Sequence, residues 1–263
     1  MRIKNTLKAK LTSFILCFAM VLAAMLPNAM PVQAATKLNI LMIGNSLTYS
    51  SSHKNSTIRR VKTLGEKSGY GFNIKYIAYG GEKLETYADS STKRGKEAQN
   101  LINSQVWDIV ILQQETDSAF LKGDSFESAA VTLGKIIRQK SPNARIILNC
   151  TWAYDKKKSG YSHSEQQKKM NANYKRVGKA IDADVVYSGN AFDRYRKKTG
   201  ALSLYQSDKN HATEAGCYLN ACCLYAGITG KTPYKVGYYG RWGKTKAYVM
   251  QKAARDENKH LIN

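Results

Sequence analysis

The sequence predicts an α/β fold: a three-layer sandwich in which one five-stranded parallel sheet carries helices on both faces. Five short apolar runs alternate with longer amphipathic stretches, which is the pattern of strands joined by covering helices. The chain has 263 residues, enough for one core of roughly 200 to 250 residues once a targeting segment is removed. No internal repeat or low-complexity linker divides it, so we expect one principal domain, residues 35–230.

Each strand assignment rests on a run of apolar, often β-branched residues that is too short for a helix. The predicted strands lie at residues 38–43, 72–77, 109–112, 146–150 and 185–187. Between them, apolar side chains recur with helical spacing. The predicted helices lie at about residues 53–67, 93–103, 125–139, 164–181 and 212–226. Gly227 and Gly230 are expected to end the last helix, since glycine is the preferred residue just past a helix.

Residues 231–263 form a basic C-terminal extension rich in Tyr, Gly and Lys, with a helix predicted at about 244–259. The extension is too short to build a core of its own. It either packs on the domain or forms a small appendage that binds the cell wall.

The first 34 residues have the layout of a cleaved secretory signal. Four basic residues precede an apolar run from Leu11 to Leu26, and Val32-Gln33-Ala34 is a small-residue cleavage site. The run is shorter than the roughly 20 residues of a membrane span, and no later stretch comes close. We therefore expect a secreted protein, extracellular or associated with the cell wall, with no stable membrane insertion after signal cleavage.

The chain is strongly basic, with 41 Lys and Arg against 19 Asp and Glu and a formal charge of +22. Removal of residues 1–34 takes away four basic and no acidic residues, so the formal charge falls from +22 to +18. Such a field favours anionic surroundings. The basic residues are scattered, without a zinc-finger or RNA-recognition signature, so no nucleic-acid partner is expected. An anionic cell-wall polymer is a candidate partner, and a solvated basic surface is the alternative.

Four cysteines follow the predicted signal: Cys150, Cys217, Cys222 and Cys223. Secretion permits a disulfide, but the sequence does not decide the pairing. Three of them lie on one predicted helix, and a role as buried small hydrophobes is favoured. Because neither C-x-x-C nor H-x-x-x-H occurs, no zinc site is expected.

The first predicted strand leads into Gly44-Asn45-Ser46-Leu47. In an open parallel sheet, ligands bind at the carboxyl ends of the strands, so this turn lies where a site is expected. A serine at a helix start has free N–H groups beside it, which suit an oxygen that becomes negative during acyl transfer. The same tetrapeptide also makes an ordinary turn and helix cap.

A second block, Asp208-Lys209-Asn210-His211, stands just before the last core helix. An Asp three residues before a His can reach its ring, fix its tautomer and leave the other nitrogen to activate a serine. The alternative is a helix-capping Asp beside an incidental surface His. The predicted domain has two other histidines, and both are expected to be solvated rather than catalytic: His53 and His163.

With these blocks in place, the chain resembles the SGNH hydrolases, the GDSL-type esterase superfamily, in a branch whose first block reads Gly-Asn-Ser. The resemblance covers residues 38 to about 230 and implies a flavodoxin-like sandwich. It implies that Ser46 is the nucleophile, His211 the base and Asp208 its orienting partner. The Ser46 N–H would be one donor to the oxyanion.

Two further blocks would complete the oxyanion hole. Tyr79-Gly80-Gly81 would supply the N–H of Gly80, with Gly81 as the alternative. The family's Gly-x-Asn-Asp is replaced by residues 113–117, which read Gln-Gln-Glu-Thr-Asp. This is similar to the Gln-Gly-Glu-Ser signature of sialate O-acetylesterase-like acetyl esterases. The resemblance implies that Gln113, or else Gln114, donates its side-chain amide to the oxyanion.

The resemblance implies a secreted serine esterase that hydrolyses small acyl esters, acetyl above all, on a carbohydrate or cell-wall glycan. Its partner would be an acylated small molecule or glycan, and the reaction requires neither a metal nor an organic cofactor. Asn45, Gln114 and Trp152 are expected to contact the substrate, although Trp152 could equally pack in the core. The alternatives are a GDSL-type lipase or thioesterase for longer acyl chains, and a non-catalytic protein that binds polysaccharide or cell wall.

Overall fold

A computed structural model describes residues 36–49 and 56–263. The predicted secretory signal and His53 lie outside the described residues. Residues Ala35–Asn263 form one compact unit. Within the described part of the chain, none of the helices has the length and apolar composition needed to cross a bilayer.

The predicted five-stranded parallel sheet is confirmed. Its strands are β1 (Thr36–Gly44), β2 (Tyr70–Ala78), β3 (Ile109–Leu112), β4 (Arg145–Cys150) and β5 (Asp184–Tyr187). They lie in the order β2-β1-β3-β4-β5, and every pair of neighbours is parallel. All five strands therefore end at the same edge of the sheet, where the loops that follow them meet.

Helices connect the strands, as parallel pairing requires. They are α1 (Ser46–Tyr49), α2 (Thr57–Glu66), α3 (Leu84–Ala88), α4 (Lys93–Asn103), α5 (Thr116–Leu121), α6 (Gly123–Lys140), α7 (His163–Ala180), α8 (Ser188–Arg196), α9 (Glu214–Thr229) and α10 (Gly243–Glu257), followed by a 3₁₀ turn at Lys259–Leu261. The sequence did not predict α1, α3 and α5, because helices of four to six residues are too short to show a periodic pattern. The nine-residue helix α8 was not predicted either.

Apolar residues are buried on both faces of the sheet, which is why the fold has three layers. Along β1, Ile40 and Met42 point into one core and Leu41 and Ile43 into the other. The first core is covered by α2, α8, α9 and α10, and the second by α3, α4, α6 and α7. Adjacent β1 side chains belong to different cores, as the two-residue period of a strand requires.

Helix α9 is buried on nearly all sides. It ends at Thr229, where Gly230 takes the left-handed conformation with φ +65°, as predicted. Gly227, which was also expected to end the helix, lies inside it. A Cβ on Gly227 would lie 2.4 Å from Val186 Cγ2, so glycine here permits the close approach of the helix to the sheet.

The C-terminal extension packs on the domain rather than standing apart from it. The apolar face of α10 joins the same core as α9 and is made of Ala247, Met250, Ala253 and Ala254. The four cysteines after the signal are all buried, and no disulfide joins any two of them. Burial raises the pKa of Cys150, Cys222 and Cys223, so these thiols behave as small apolar side chains.

Candidate active site

The turn after β1 holds a serine at the carboxyl edge of the sheet. Strand β1 ends at Gly44 and α1 begins at Ser46, and Asn45 Oδ1 caps this helix by accepting from the Leu47 N–H at 3.0 Å. A Cβ on Gly44 would lie only 2.3 Å from Thr48 Oγ1. The tight packing around the turn therefore requires glycine at this position.

Three side chains predicted to act together do meet. Ser46 Oγ lies 2.8 Å from His211 Nε2, and His211 Nδ1 lies 2.5 Å from Asp208 Oδ2. The other Asp208 oxygen accepts the N–H groups of Asn210 and His211, each at 3.0 Å. Partial burial opposes ionisation of Asp208. The hydrogen bonds from the His211 ring and the two N–H groups outweigh it and lower the pKa of the carboxyl to about 2.

The second block forms a tight turn beside the first. The Glu82 N–H donates to the Tyr79 carbonyl at 3.2 Å, and Gly81 has φ +69°, a conformation that favours glycine. Asn45 Nδ2 donates to the Glu82 carbonyl at 3.2 Å, which joins the two blocks. Among the described residues, the N–H groups of Ser46 and Gly80 have no hydrogen-bond acceptor. Both are free to bind an oxyanion.

Tyr87, which the sequence did not single out, fixes both blocks. Its hydroxyl accepts the Tyr79 N–H at 3.0 Å and donates to the Gly44 carbonyl at 2.8 Å. Burial raises its pKa, so the hydroxyl keeps its proton. Tyr87 lies on the five-residue helix α3, where no periodic signal could have marked it.

Gln113 stabilises the first block, contrary to its expected role as an oxyanion donor. Its Oε1 accepts the Asn45 N–H at 3.0 Å and the Thr48 hydroxyl at 2.9 Å. Because a backbone N–H can only donate, the oxygen of the amide must face Asn45. Its Nε2 donates to the Gln114 carbonyl at 2.5 Å, and the residue is only 1% exposed. Gln113 is therefore a structural bridge to the residue before Ser46.

The residues expected to contact substrate are also structural. Gln114 is fully buried, with Oε1 accepting from the Leu84 and Glu115 N–H groups and Nε2 donating to Glu85. Asn45 is buried and uses both ends of its amide within the protein. The substrate-binding predictions for Asn45 and Gln114 are wrong, since neither side chain has a free polar atom at the surface.

Trp152 belongs to the core. It is 0% exposed, and its ring stacks on Phe192 with the centroids 4.1 Å apart and the planes at 8°. Its indole N–H donates to the Asn210 carbonyl at 2.7 Å. A fully buried ring cannot stack on a sugar, so this substrate-contact prediction is wrong as well.

A second Asp–His pair lies outside this site. His163, expected to be solvated, is part-buried, with Nε2 2.7 Å from Asp193 Oδ1 and Nδ1 2.9 Å from the Tyr154 carbonyl oxygen. The hydrogen bond with Asp193 raises the pKa of His163. In the part of the chain that the structure describes, no three His, Cys, Asp or Glu side chains come together as a metal site would require.

Fold and site together define an α/β protein with a hydroxyl, an imidazole and a carboxylate in series at the carboxyl edge of its sheet. No protein-family model matches the sequence. No curated protein matches it either.

Solved structures do resemble the chain. A DUF4886 family protein from Bacteroides uniformis has a TM-score of 0.72 at 18% identity, covering 84% of this chain and 94% of that one. A candidate SGNH hydrolase from Slackia heliotrinireducens has a TM-score of 0.61 at 22% identity, covering 73% and 100%. An acetyl xylan esterase has a TM-score of 0.55 at 13% identity, covering 73% and 100%. The chain has the SGNH hydrolase fold, as its sequence predicted.

Proposed function

We propose that the protein is a secreted serine esterase that removes small acyl groups, chiefly acetyl, from a carbohydrate or cell-wall glycan. The observation that carries the proposal is the 2.8 Å contact between Ser46 Oγ and His211 Nε2, with Asp208 on the far side of the ring. This is the order in which a nucleophile, a base and an orienting carboxylate act in acyl transfer.

The geometry supports a two-step reaction. Ser46 Oγ attacks the ester carbonyl carbon as its proton passes to His211 Nε2, and the ionised Asp208 stabilises the imidazolium. The Ser46 and Gly80 N–H groups bind the oxyanion, each worth roughly 3 to 4 kcal/mol in such sites. The imidazolium then protonates the leaving alcohol. Water, activated by the same ring, hydrolyses the acyl-enzyme and restores the serine.

Two features support a short acyl group on a bulky alcohol. Apart from Gly80 and its two chain neighbours, no described residue has an atom within 4 Å of a Cβ built on Gly80, so the space beside the proposed oxyanion donor is open. Among the described residues, only three large apolar side chains are exposed, too few to build an extended apolar surface: Tyr76, Val106 and Leu121. A long-chain lipase needs a contiguous apolar surface instead. Acetyl xylan, the substrate in the name of one structural neighbour, fits this chemistry.

The test compares the wild type with Ser46→Ala on acetyl and octanoyl esters and on acetylated xylooligosaccharides. We expect acetyl esters to be hydrolysed fastest, and Ser46→Ala to lose both hydrolysis and labelling by a fluorophosphonate. Ser162→Ala, which removes a serine at the start of α7, is the matched control and should keep both. Faster octanoyl hydrolysis would favour the lipase or thioesterase alternative. An unlabelled wild type would favour a binding protein.

A further inference from the structure

One short segment supports the loop that carries Asp208 and His211, in addition to the loop's own bonds from Lys209 N–H to Gln206 O at 3.0 Å and from Gln206 N–H to His211 O at 2.8 Å. The segment, residues 152–156, follows β4 and donates hydrogen bonds to three successive carbonyl oxygens of the loop. These bonds join Trp152 Nε1 to Asn210 O at 2.7 Å, Asp155 N to Lys209 O at 2.8 Å and Lys156 Nζ to Asp208 O at 3.1 Å.

The loop needs such support because its backbone is not relaxed. Lys209 has φ +65°, in the left-handed region that residues with a Cβ rarely adopt. It stands between Asp208 and His211, so its conformation sets the position of both side chains. The carbonyl groups of this loop keep their orientation only while the donors in residues 152–156 stay in place.

Trp152 is the rigid donor of the three. Its ring is clamped on Phe192 of α8, and Tyr205 packs edge-on against that same phenylalanine with the centroids 5.7 Å apart. The position of the indole N–H is therefore set by the core and not by the loop. Lys156, in contrast, is an exposed and flexible donor.

We propose that the segment 152–156 positions Asp208 and His211 for the reaction, and that Trp152 is the donor of this segment whose own position the core fixes. Asn210 precedes His211 directly, so a shift of the Asn210 peptide moves the imidazole relative to Ser46 Oγ. A displacement of about 1 Å can lower a rate about 100-fold. The kinetic test of this inference rests on the proposed esterase function. A second test, on the Asp208–His211 contact, needs no enzymatic activity.

Trp152→Phe removes the indole N–H and keeps an aromatic ring on Phe192. We expect kcat for an acetyl ester to fall about tenfold or more, with KM within about twofold, because the fully buried residue cannot touch substrate. Trp107→Phe is the matched control. Trp107 is 1% exposed, and its Nε1 donates to the Ile102 carbonyl at 2.9 Å in the other core. Both variants lose the same group and should lose similar stability, but only Trp152→Phe should lose kcat.

A second readout follows the proton between His211 Nδ1 and Asp208 by ¹H NMR. We expect a downfield signal in the wild type, assigned by its loss in Asp208→Asn, that shifts or broadens in Trp152→Phe and stays unchanged in Trp107→Phe. Equal kcat in the two Trp variants, or an unmoved signal in Trp152→Phe, would overturn the proposal. If the wild type hydrolyses no ester but the signal responds as expected, the positioning role stands and the esterase function fails.

Lys156→Met covers the case in which Trp152→Phe does not fold. It removes the donor to Asp208 O from the surface. Lys157→Met is its control, since Lys157 is an equally exposed lysine whose charge acts on Glu165 and not on the Asp208 loop. We expect kcat to fall about threefold in Lys156→Met and to stay unchanged in Lys157→Met. Identical rates in the two lysine variants would also overturn the proposal.

Discussion

The substitution Asp208→Asn tests the proposed roles of Asp208, His211 and Ser46 most directly. The substituted side chain keeps Oδ1, which accepts the Asn210 and His211 N–H groups at 3.0 Å, so the turn should survive. It replaces Oδ2 by an amide that can only donate to His211 Nδ1. The ring must then carry its proton on Nε2 and can no longer take the proton of Ser46. We expect kcat to fall about 10⁴-fold, the size of this effect in other Ser-His-Asp sites.

The loss of stability should be small by comparison. The Asp208 side chain is 46% exposed, so solvent screens its bond to His211 and the free energy of unfolding should fall by about 1 kcal/mol or less. Asp193→Asn, the same change opposite His163, is the matched control and should leave kcat within about threefold. Initial rates on p-nitrophenyl acetate and urea unfolding of all three proteins give the comparison. An Asp208→Asn rate within tenfold of the wild type would refute the assigned roles.

Three other perturbations test the surroundings of the site. Gly44→Ala would place a Cβ 2.6 Å from Gln113 Oε1, so we expect a loss of about 1 to 3 kcal/mol in urea unfolding together with slower ester hydrolysis. Arg60→Ala breaks a part-buried ion pair with Glu214 at 3.0 Å, but Glu214 keeps Arg241 as a partner, so the free energy of unfolding should fall by about 1 to 3 kcal/mol without a change in KM. Because folding lowers the pKa of Asp208 from its ordinary 3.8 to about 2, the ionised carboxylate stabilises the folded state above pH 3.8. This contribution disappears as pH falls through about 2. Urea unfolding of wild type and Asp208→Asn should therefore converge over that range, and a constant difference would contradict this.

The strands and long helices followed from the sequence because each depends on a local pattern. The predicted helix at 93–103 matches Lys93–Asn103, and the predicted strand at 109–112 matches Ile109–Leu112. Ser46, Asp208 and His211 could also be placed, since a parallel sheet brings the ends of its strands to one edge. Here the residue types and the topology were enough.

The roles of Gln113 and Trp152 could not be predicted, because they depend on which partner lies within 3 Å. A glutamine amide can donate to an oxyanion or accept from a buried N–H, and only the position of the Asn45 N–H selects the second. A tryptophan at a strand end can face a ligand or the core. The place of Phe192 on α8 selects the core, and no spacing in the sequence encodes that contact.

The two Asp–His pairs show why a dyad alone does not define a catalytic site. The His163 ring lies between the Asp193 carboxylate and the Tyr154 carbonyl, and both of these only accept hydrogen bonds. These partners stabilise the protonated ring. The hydrogen bond with Asp193 raises the pKa of His163, although burial and the nearby Arg196 guanidinium oppose the charge, so His163 is poorly placed to act as a base. The His211 ring faces a carboxylate on one side and the Ser46 hydroxyl, which can donate, on the other. With a proton on Nδ1, the His211 ring donates to Asp208 and accepts from Ser46, so of these two histidines it is the one placed to begin a reaction as a base.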